Sequence, residues 1–360
     1  MSEHVLRGQT PVGEGARICA EVRKGRRLGV PGSGSAATPS RRGATAAPSH
    51  ADTSRLPCLN VVTGVFSYTG SYIARSLLAG GEPVKTLSRR QDPEHPLSER
   101  VAFAPLRFDD EAALARELDG ASTLYNTYWI RFPRGAVSWE TVLENTRVLL
   151  RAARAAGVPR LVQFSVSNAS EQSPFPYFRY KALVEREVRA SGLSHAIVRP
   201  TLIFGRDDIL VNNVAWALRR FPFFLVPSAG DYRVQPVAAE DVAALAIAAA
   251  RRRGDCLVDV AGPDVYTFAE LVGAIRASTG SRSRLVRCPP PVVLALAAFV
   301  ARLQGDILLT REELGALAAD LLVSPTTPSG RVRFADWLAE NGSALGSGFV
   351  SERKRNWPST

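Results

Sequence analysis

The residues best suited to chemistry are Tyr177 and Lys181, which lie four positions apart in Tyr-Phe-Arg-Tyr-Lys. At that spacing the two side chains share one face of a helix. A phenol with a pKa of about 10 is a poor acid or base at neutral pH unless an adjacent ammonium stabilises its phenolate. Lys181 would supply that ammonium and would also hydrogen-bond a nicotinamide ribose. The pair predicts a proton relay for hydride transfer; the alternative is a nucleotide clamp in which no reaction occurs.

Two serines follow the apolar run that ends at Phe164 and precede this pair by about a dozen positions. We expect Ser165 and Ser167 to point to the same side of a strand, where one of them would orient a substrate carbonyl or hydroxyl. The pattern does not separate them, and we prefer Ser165. Lys181 itself is one of only four lysines among 45 basic residues, which makes its position more informative than usual.

A glycine-containing turn upstream predicts a dinucleotide site. Gly64 and Gly70 stand six positions apart between an apolar run and a helical segment, so the chain can reverse sharply and aim helix N–H groups at a pyrophosphate. Ser67 replaces the usual middle glycine; it is small enough for close phosphate approach and adds a hydroxyl donor. The alternative is an ordinary strand-to-helix turn. The expected cofactor contacts in the turn are Gly64, Phe66, Ser67, Tyr68, Thr69 and Gly70.

The residues after the next strands indicate which cofactor is bound. Arg89 and Arg90 occupy the position where an NAD site carries an acidic residue, and two guanidiniums suit a 2′-phosphate. NADP(H) is therefore favoured over NAD(H), although two solvated arginines are the alternative. Asp109, after the third strand, would contact the adenine or serve as a helix N-cap. Thr127, after the fourth, is also assigned to the cofactor.

The composition excludes several classes of protein. Of the net charge of +11, +5 falls in residues 1–56, which carry nine Lys or Arg against four Asp or Glu, and the other +6 is too diffuse to indicate nucleic-acid binding. That segment is rich in Gly, Ala, Pro and Ser, which predicts a disordered basic tail without a secretory signal. We expect a cytoplasmic protein, with organelle targeting as the alternative. Four cysteines and four histidines show no metal-site spacing.

Strands and helices alternate from residue 59, which predicts an α/β fold with a doubly wound parallel sheet, the Rossmann arrangement. The NAD(P)-binding domain would span 57–261, with 206–235 contributing to a substrate lobe. A smaller, mostly helical lobe would span 262–345, and 346–360 would be a tail. Residues 292–303 are apolar but too short to cross a bilayer, so we expect a buried helix rather than a membrane-surface helix. The predicted strands are 59–62, 83–87, 101–103, 122–126, 160–164, 194–198 and 256–260.

These motifs together resemble the short-chain dehydrogenase/reductase superfamily. More narrowly they are similar to an extended or atypical branch that includes bacterial NAD-dependent epimerase/dehydratases and the accessory nucleotide-binding subunit of mitochondrial complex I. The resemblance covers about residues 57–355. It is carried by residues 63–70, Ser165, Tyr177 with Lys181, Asn145 in Glu-Asn-Thr, and Arg199-Pro200-Thr201 through Gly205.

The resemblance implies a role for each matching residue. Tyr177 would be the acid/base, Lys181 the ribose contact, Ser165 the substrate partner and Asn145 a helix-borne support of the relay. Pro200, with the threonine after it, would border the nicotinamide.

We therefore expect an oxidoreductase or epimerase acting on the carbonyl or hydroxyl group of a small molecule. The alternative is a catalytically idle NADPH-binding redox sensor or assembly protein of respiratory or quinone metabolism. Aromatic residues hint at a hydrophobic substrate, since they would line an apolar pocket unless they serve only the core. They are Trp216, Phe221, Phe223, Phe224 and Tyr232, with Tyr128 and Trp129.

Overall fold

The computed structural model describes residues 58–227 and 231–356, so the predicted tail of residues 1–56 lies outside the described residues. The strands are β1 (Leu59–Thr63), β2 (Val84–Ser88), β3 (Ala102–Pro105), β4 (Ala121–Asn126), β5 (Leu161–Phe164), β6 (His195–Pro200), β7 (Leu202–Phe204), β8 (Phe223–Pro227), β9 (Arg233–Val234), β10 (Pro236–Ala238), β11 (Cys256–Val260), β12 (Tyr266–Thr267) and β13 (Arg284–Cys288). The helices are α1 (Tyr68–Ala79), α2 (Glu111–Leu118), α3 (Trp139–Ala155), α4 (Pro176–Ala190), α5 (Ile209–Arg220), α6 (Ala239–Ala250), α7 (Phe268–Ser278), α8 (Pro290–Gln304), α9 (Arg311–Ala318), α10 (Phe334–Asn341) and α11 (Glu352–Asn356).

Seven parallel strands form the main sheet in the order β3-β2-β1-β4-β5-β6-β11. These are the seven strands that the apolar runs predict, and the doubly wound fold is confirmed. The strand order reverses between β1 and β4, so the segments that follow these two strands turn to opposite faces of the sheet and leave the crevice in which such folds bind ligands. The turn after β1 and Thr127 after β4 lie on either side of that crevice.

Both faces of the sheet are covered by helices, which is why its central strands are apolar throughout. Val61 and Val62 are adjacent in β1 and point to opposite faces. Val62 packs in a cluster with Ile73 of α1, while Val61 packs in another with Leu149 of α3 and Val184 of α4. The sheet is thus the middle of three layers, and α4 is held on the face opposite to α1.

The remaining strands form three two-stranded sheets, β7 with β10, β9 with β12 and β8 with β13. The sequence did not predict the β8–β13 pair, because the pattern of residues 221–230 indicates a loop. Thr267 caps α7 through a reciprocal capping box with Glu270. Within the described ranges, no helix combines the length and the apolar character needed to cross a membrane.

The aromatic residues expected to line one pocket are divided among separate parts of the molecule. Tyr232 stacks on Phe268 in the core of the C-terminal lobe. Trp216 packs edge-on against Phe221 and Phe349, while Phe223 is exposed to solvent. The expectation of a shared pocket is wrong for this set, because Tyr232 and Phe224 belong to the core of the smaller lobe while Phe221 and Phe223 are exposed.

Candidate functional site

The turn after β1 is built around two glycines with different tasks. Gly64 has a φ of +70°, a left-handed conformation that favours glycine. Gly70 is required for a different reason: a Cβ there would lie 2.2 Å from the Gly64 carbonyl oxygen. Helix α1 can therefore approach the turn only because residue 70 has no side chain. The Val65 N–H donates to Thr86 Oγ1 at 3.1 Å, which ties the turn to β2.

The N-terminus of α1 is left without a side-chain cap. Ser67 is the N-cap residue and has the extended backbone of one, but its hydroxyl donates to the Gly64 carbonyl at 2.6 Å. The first-turn N–H groups and the positive end of the helix dipole therefore suit an anion such as a pyrophosphate. Beside them, the buried Tyr68 hydroxyl has no partner among the described residues, and burial raises its pKa. These features fit a dinucleotide.

The far wall of the crevice is fixed by hydrogen bonds between the ends of β1 and β4. The Thr127 N–H donates to Thr63 Oγ1 at 2.8 Å, and the Thr127 hydroxyl donates to the Thr63 carbonyl at 2.5 Å. Thr127 thus stands beside the turn, as predicted for a crevice residue. Its hydroxyl hydrogen is already engaged, so its remaining polar capacity is as an acceptor.

The residues assigned to the adenosine half of the cofactor lie on the surface. Arg89 and Arg90 follow β2 and are exposed. Burial raises the pKa of the Tyr128 phenol, and the charge of Arg89 acts against that rise, which puts this guanidinium in electrostatic reach of the crevice. Asp110, not Asp109, caps α2, since its carboxylate accepts from Ala113 N at 2.8 Å. The N-cap alternative for Asp109 is therefore wrong, and its contact with an adenine stays a prediction.

Tyr177 lies in the first turn of α4, partly buried among aromatic rings. Its ring is edge-on to Trp129 at 5.7 Å and to Trp139 at 6.0 Å between centroids. Burial, followed by the negative charge of Glu313, raises the pKa of Tyr177 to about 12, and Arg131 acts against that rise. This direction is opposite to the phenolate activation that the Tyr-Lys spacing predicts.

Lys181 is almost fully buried, with 3% of its surface exposed. Its ammonium donates to the Phe164 carbonyl at 3.0 Å and lies 4.0 Å from the centre of the Trp129 ring. Burial lowers the pKa of Lys181 to about 7, and the negative charge of Glu185 acts in the opposite direction. Lys181 and Tyr177 thus both contact Trp129, which agrees with the shared helix face expected from their spacing.

The two serines follow strand β5, and their hydroxyls have different partners. Strand β5 ends at Phe164, one residue earlier. The Ser165 hydroxyl donates to Glu185 Oε1 at 2.5 Å, whereas the Ser167 hydroxyl donates to the Leu321 carbonyl at 2.8 Å. The backbone N–H groups of both serines still donate to carbonyls of β6, so the chain stays beside the sheet while the two hydroxyls bond to different elements. A substrate contact by Ser165 stays a prediction.

The other residues singled out by the resemblance reach the site through neighbours. Asn145 of α3 donates to the Tyr128 hydroxyl at 2.8 Å, and Tyr128 immediately precedes Trp129 in the chain. Pro200 is buried at the end of β6, where its carbonyl accepts from Ser167 N at 2.9 Å. Asn145 thus positions the loop that carries Trp129.

A buried carboxylate that sequence reasoning missed organises the base of α4. Glu185 is fully buried, and its two carboxylate oxygens accept from Nε and Nη2 of Arg199 at 2.7 and 2.6 Å. It also accepts from the Ser165 hydroxyl and, at 2.9 Å, from Arg189. Its position four residues after Lys181 was the available signal, because it continues the same inward face of the helix.

A second group missed from the sequence closes the site from the C-terminal lobe. Arg131 pairs with Glu313 at 2.5 Å and donates to the Leu308 carbonyl at 2.9 Å. Helix α9 also packs directly on Phe175, since a Cβ at Gly315 would lie 2.6 Å from that ring. The segment around α9 therefore covers the first turn of α4. Such contacts between distant residues leave no local pattern in the sequence.

The charge of Arg131 acts on groups beyond the aromatic cluster around Tyr177. Its charge acts on the pKa of Tyr177 and on that of Asp208, whose pKa is raised to about 6 by burial. Asp208 in turn raises the pKa of Tyr68, at the start of α1.

Comparison with known proteins agrees with this geometry. A family model described as NAD(P)H-binding matches residues 67–252, more than half of the chain. The chain is 26% identical to NADH dehydrogenase (ubiquinone) 1 alpha subcomplex subunit 9, mitochondrial, of Arabidopsis thaliana, over 73% of this chain and 70% of that protein. It is 30% identical to a ceramide reductase of Caulobacter vibrioides, over 66% of this chain and 76% of that protein.

The fold is shared with solved structures of low sequence identity. A triphenylmethane reductase from Citrobacter matches with a TM-score of 0.63 at 18% identity, over 79% of this chain and 99% of that one. The resemblance drawn from the motifs is thereby confirmed. The chain belongs to the NAD(P)H-binding family, among the proteins related to short-chain dehydrogenases and reductases.

Proposed function

We propose that this protein is an NADP(H)-dependent oxidoreductase or epimerase-like enzyme that acts on a carbonyl or hydroxyl group of a small molecule. The observation that carries the proposal is the meeting of Tyr177 and Lys181 at Trp129, in a protein whose glycine turn leaves the α1 N-terminus without a side-chain cap. The turn at residues 64–70 would hold the pyrophosphate, and Arg89 with Arg90 would hold a 2′-phosphate. When bound, the cofactor supplies or accepts a hydride.

The protein's own part in the reaction is to place a proton donor and acceptor beside the substrate oxygen. The Tyr177 hydroxyl would donate a proton to the oxygen as a carbonyl is reduced, or remove one as an alcohol is oxidised. Its pKa of about 12 favours the neutral, donating form, which suits reduction. The buried Trp129 Nε1 has no partner among the described residues and would donate to a polar ligand group.

The substrate class follows from the surroundings of Tyr177. Its neighbours are aromatic and apolar side chains from α3, α4 and α9, so a hydrophobic substrate fits better than a phosphorylated sugar. The Caulobacter relative is named for the reduction of a ceramide. Lipid ketones are therefore the first substrates to test.

Cofactor preference is tested by titrating the purified protein with NADPH and NADH. Replacing both Arg89 and Arg90 by Ser should weaken NADPH binding about tenfold or more and leave NADH nearly unchanged, because only NADPH carries the 2′-phosphate. Arg252 and Arg253 are also consecutive and exposed, and their replacement by Ser is the matched control. Equal loss for both cofactors would contradict the assignment.

Catalysis is tested with Tyr177→Phe. An enzyme using this phenol should lose about 10²- to 10⁴-fold in turnover of a lipid ketone while NADPH binding is retained. Unchanged turnover would remove Tyr177 from the mechanism.

The second candidate function is NADPH binding without turnover, in a redox-sensing or assembly role. It is favoured by the engagement of the Ser165 hydroxyl with Glu185 and by the raised pKa of Tyr177. It also agrees with the relative named as a subunit of NADH dehydrogenase. In that case NADPH binds tightly, no carbonyl compound is reduced, and Tyr177→Phe keeps the cellular role.

A further inference from the structure

Helix α8 presents an apolar stripe to solvent. Its outward residues Val292, Leu296, Phe299 and Leu303 recur at the spacing of one helix face and are 45 to 68% exposed. The inward face is apolar as well, with Val293 and Ala301 buried. The expectation that this helix is buried is therefore wrong. Surface helices normally turn a polar face outward, and an exposed apolar stripe marks an interaction site.

The elements packed with α8 are strongly basic: α8 lies against β8, and β8 pairs with β13. Residues 209–227 and 279–305, which include α5, β8, β13 and α8, contain six arginines and not one Asp or Glu. A groove of about 620 Å³ lies where β8 and β13 begin. Its lining includes four arginines and two exposed phenylalanines: Arg219, Arg220, Arg282 and Arg284, with Phe221 and Phe223. We call this the arginine groove, and we call Val292, Leu296, Phe299 and Leu303 the α8 face.

We propose that the α8 face and the arginine groove form a docking surface for an anionic lipid bilayer. The α8 face would enter the boundary between head groups and acyl chains, as interfacial helices do. Arg220, Arg282 and Arg284 would contact lipid phosphates, which suit their planar, bidentate donors. Arg219 already donates to the Leu345 and Ser343 carbonyls and holds this edge of the groove. Helix α8 has 15 residues and one charged side chain, Arg302, so it is a helix that lies on a membrane rather than one that crosses it.

The charges favour a bilayer over a second copy of the chain. In a two-fold dimer the same patch faces itself, so the arginines beside α8 would face one another. A protein partner would have to supply a large surface that is both apolar and acidic. An anionic membrane has both properties everywhere on its surface.

The test is flotation of the full-length protein with lipid vesicles. Vesicles of phosphatidylcholine alone are compared with vesicles that also contain phosphatidylglycerol, at low and high salt. The main variant is Phe299→Asp with Leu303→Asp. Both side chains are exposed, so their replacement removes little buried packing. The matched control is Leu257→Asp with Val265→Asp, which are also exposed and apolar but lie outside the docking surface. A third variant changes Arg220, Arg282 and Arg284 to Gln, and thermal melting checks the folding of each.

Wild type and control should bind the anionic vesicles in a salt-sensitive manner and bind phosphatidylcholine weakly. The Phe299→Asp, Leu303→Asp variant should bind at least about tenfold more weakly, and the Gln variant should lose part of its salt dependence.

Two results overturn the proposal. One is equal binding by wild type and the Asp variant, which would assign the attraction to the basic residues 1–56. The other is a wild-type dimer that the Asp substitutions dissociate, with no vesicle binding.

Discussion

At the scale of single residues, the site combines groups whose protonation is set by burial. Lys181 and Asp208 are both taken out of water, and both have pKa values moved toward the neutral form, to about 7 and about 6. Neither shift can be deduced from the sequence, since spacing shows which side chains share a face but not how deeply they are buried. The spacing placed Tyr177 and Lys181 correctly, yet it gave the wrong direction for the pKa of the phenol.

The pKa of Lys181 has a direct consequence for stability. In the folded protein it is lowered from 10.5 to about 7, so between these values the unfolded chain binds more protons than the folded one. Lys181 therefore makes the folded state more stable as the pH rises from 7 to 10.5, and it carries a constant cost below 7. Lys181→Met should raise the melting temperature relative to wild type more at pH 6 than at pH 9.

Chemical denaturation at the two pH values measures this difference. The relative gain at pH 6 should amount to a few kcal/mol, because each pKa unit corresponds to about 1.4 kcal/mol. Lys85 pairs with Glu117 at the protein surface, and Lys85→Met is the matched control, whose effect should not grow as the pH falls. An effect of Lys181→Met that is independent of pH would show that the amine is charged and solvated.

At the scale of elements, Glu185 joins helix α4 to β6 and to the chain that leaves β5. It accepts from Ser165, from Arg189 and from both arms of Arg199 while it is itself fully buried. Because it accepts this many hydrogen bonds, Glu185 holds α4 at a fixed height above the sheet. Tyr177 and Lys181, on the same helix, are held with it.

Glu185→Gln should therefore destabilise the protein by about 3 kcal/mol, because it leaves a half-buried Arg199 without its countercharge. Urea unfolding measures the loss. Glu171, which pairs with Arg186 on the surface at 2.8 Å, offers the matched control. Glu171→Gln should cost less than about 1 kcal/mol. Equal costs for the two variants would mean that Arg199 finds water when Glu185 is neutral.

Elements were predictable from the sequence to the extent that their signals are local. The sheet followed from apolar runs such as residues 160–164, bounded by turn residues and helices. The β8–β13 pair did not, because the local pattern of residues 221–230 indicates a loop. The exposure of the α8 face was also unpredictable, since an apolar run of twelve residues is typical of a buried helix.

At the scale of the whole molecule, the site is completed by the C-terminal lobe. The Arg131–Glu313 pair joins the loop after β4 to α9, 182 residues further along the chain. Arg355 of α11 lies over the Tyr68 ring and donates to the Asp207 carbonyl at 2.6 Å. The residues from 346 onward, expected to form a tail, thus reach back to the turn as far as they are described.

Removing the link at Arg131 should loosen α9 without unfolding the sheet. In Arg131→Gln we expect faster amide hydrogen exchange in residues 308–323 and unchanged exchange in α1, because the variant loses the ion pair and the bond to Leu308. Arg333 forms another ion pair in the same lobe, with Asp264 at 2.8 Å, and Arg333→Gln is the matched control. Uniformly faster exchange in both variants would assign the effect to general destabilisation.

The turn after β1 has a consequence for how such proteins are recognised. Within this turn, glycine is required on steric grounds at residues 64 and 70. Residue 64 needs it for its backbone angle, and residue 70 because a side chain would collide with a carbonyl oxygen. The middle position accepts a serine, whose hydroxyl folds back onto the backbone and leaves the anion site open. A signature written with three glycines would pass over this chain, whereas one written for the two constrained positions would include it. Diversity at the middle position is therefore expected among relatives that keep the same cofactor.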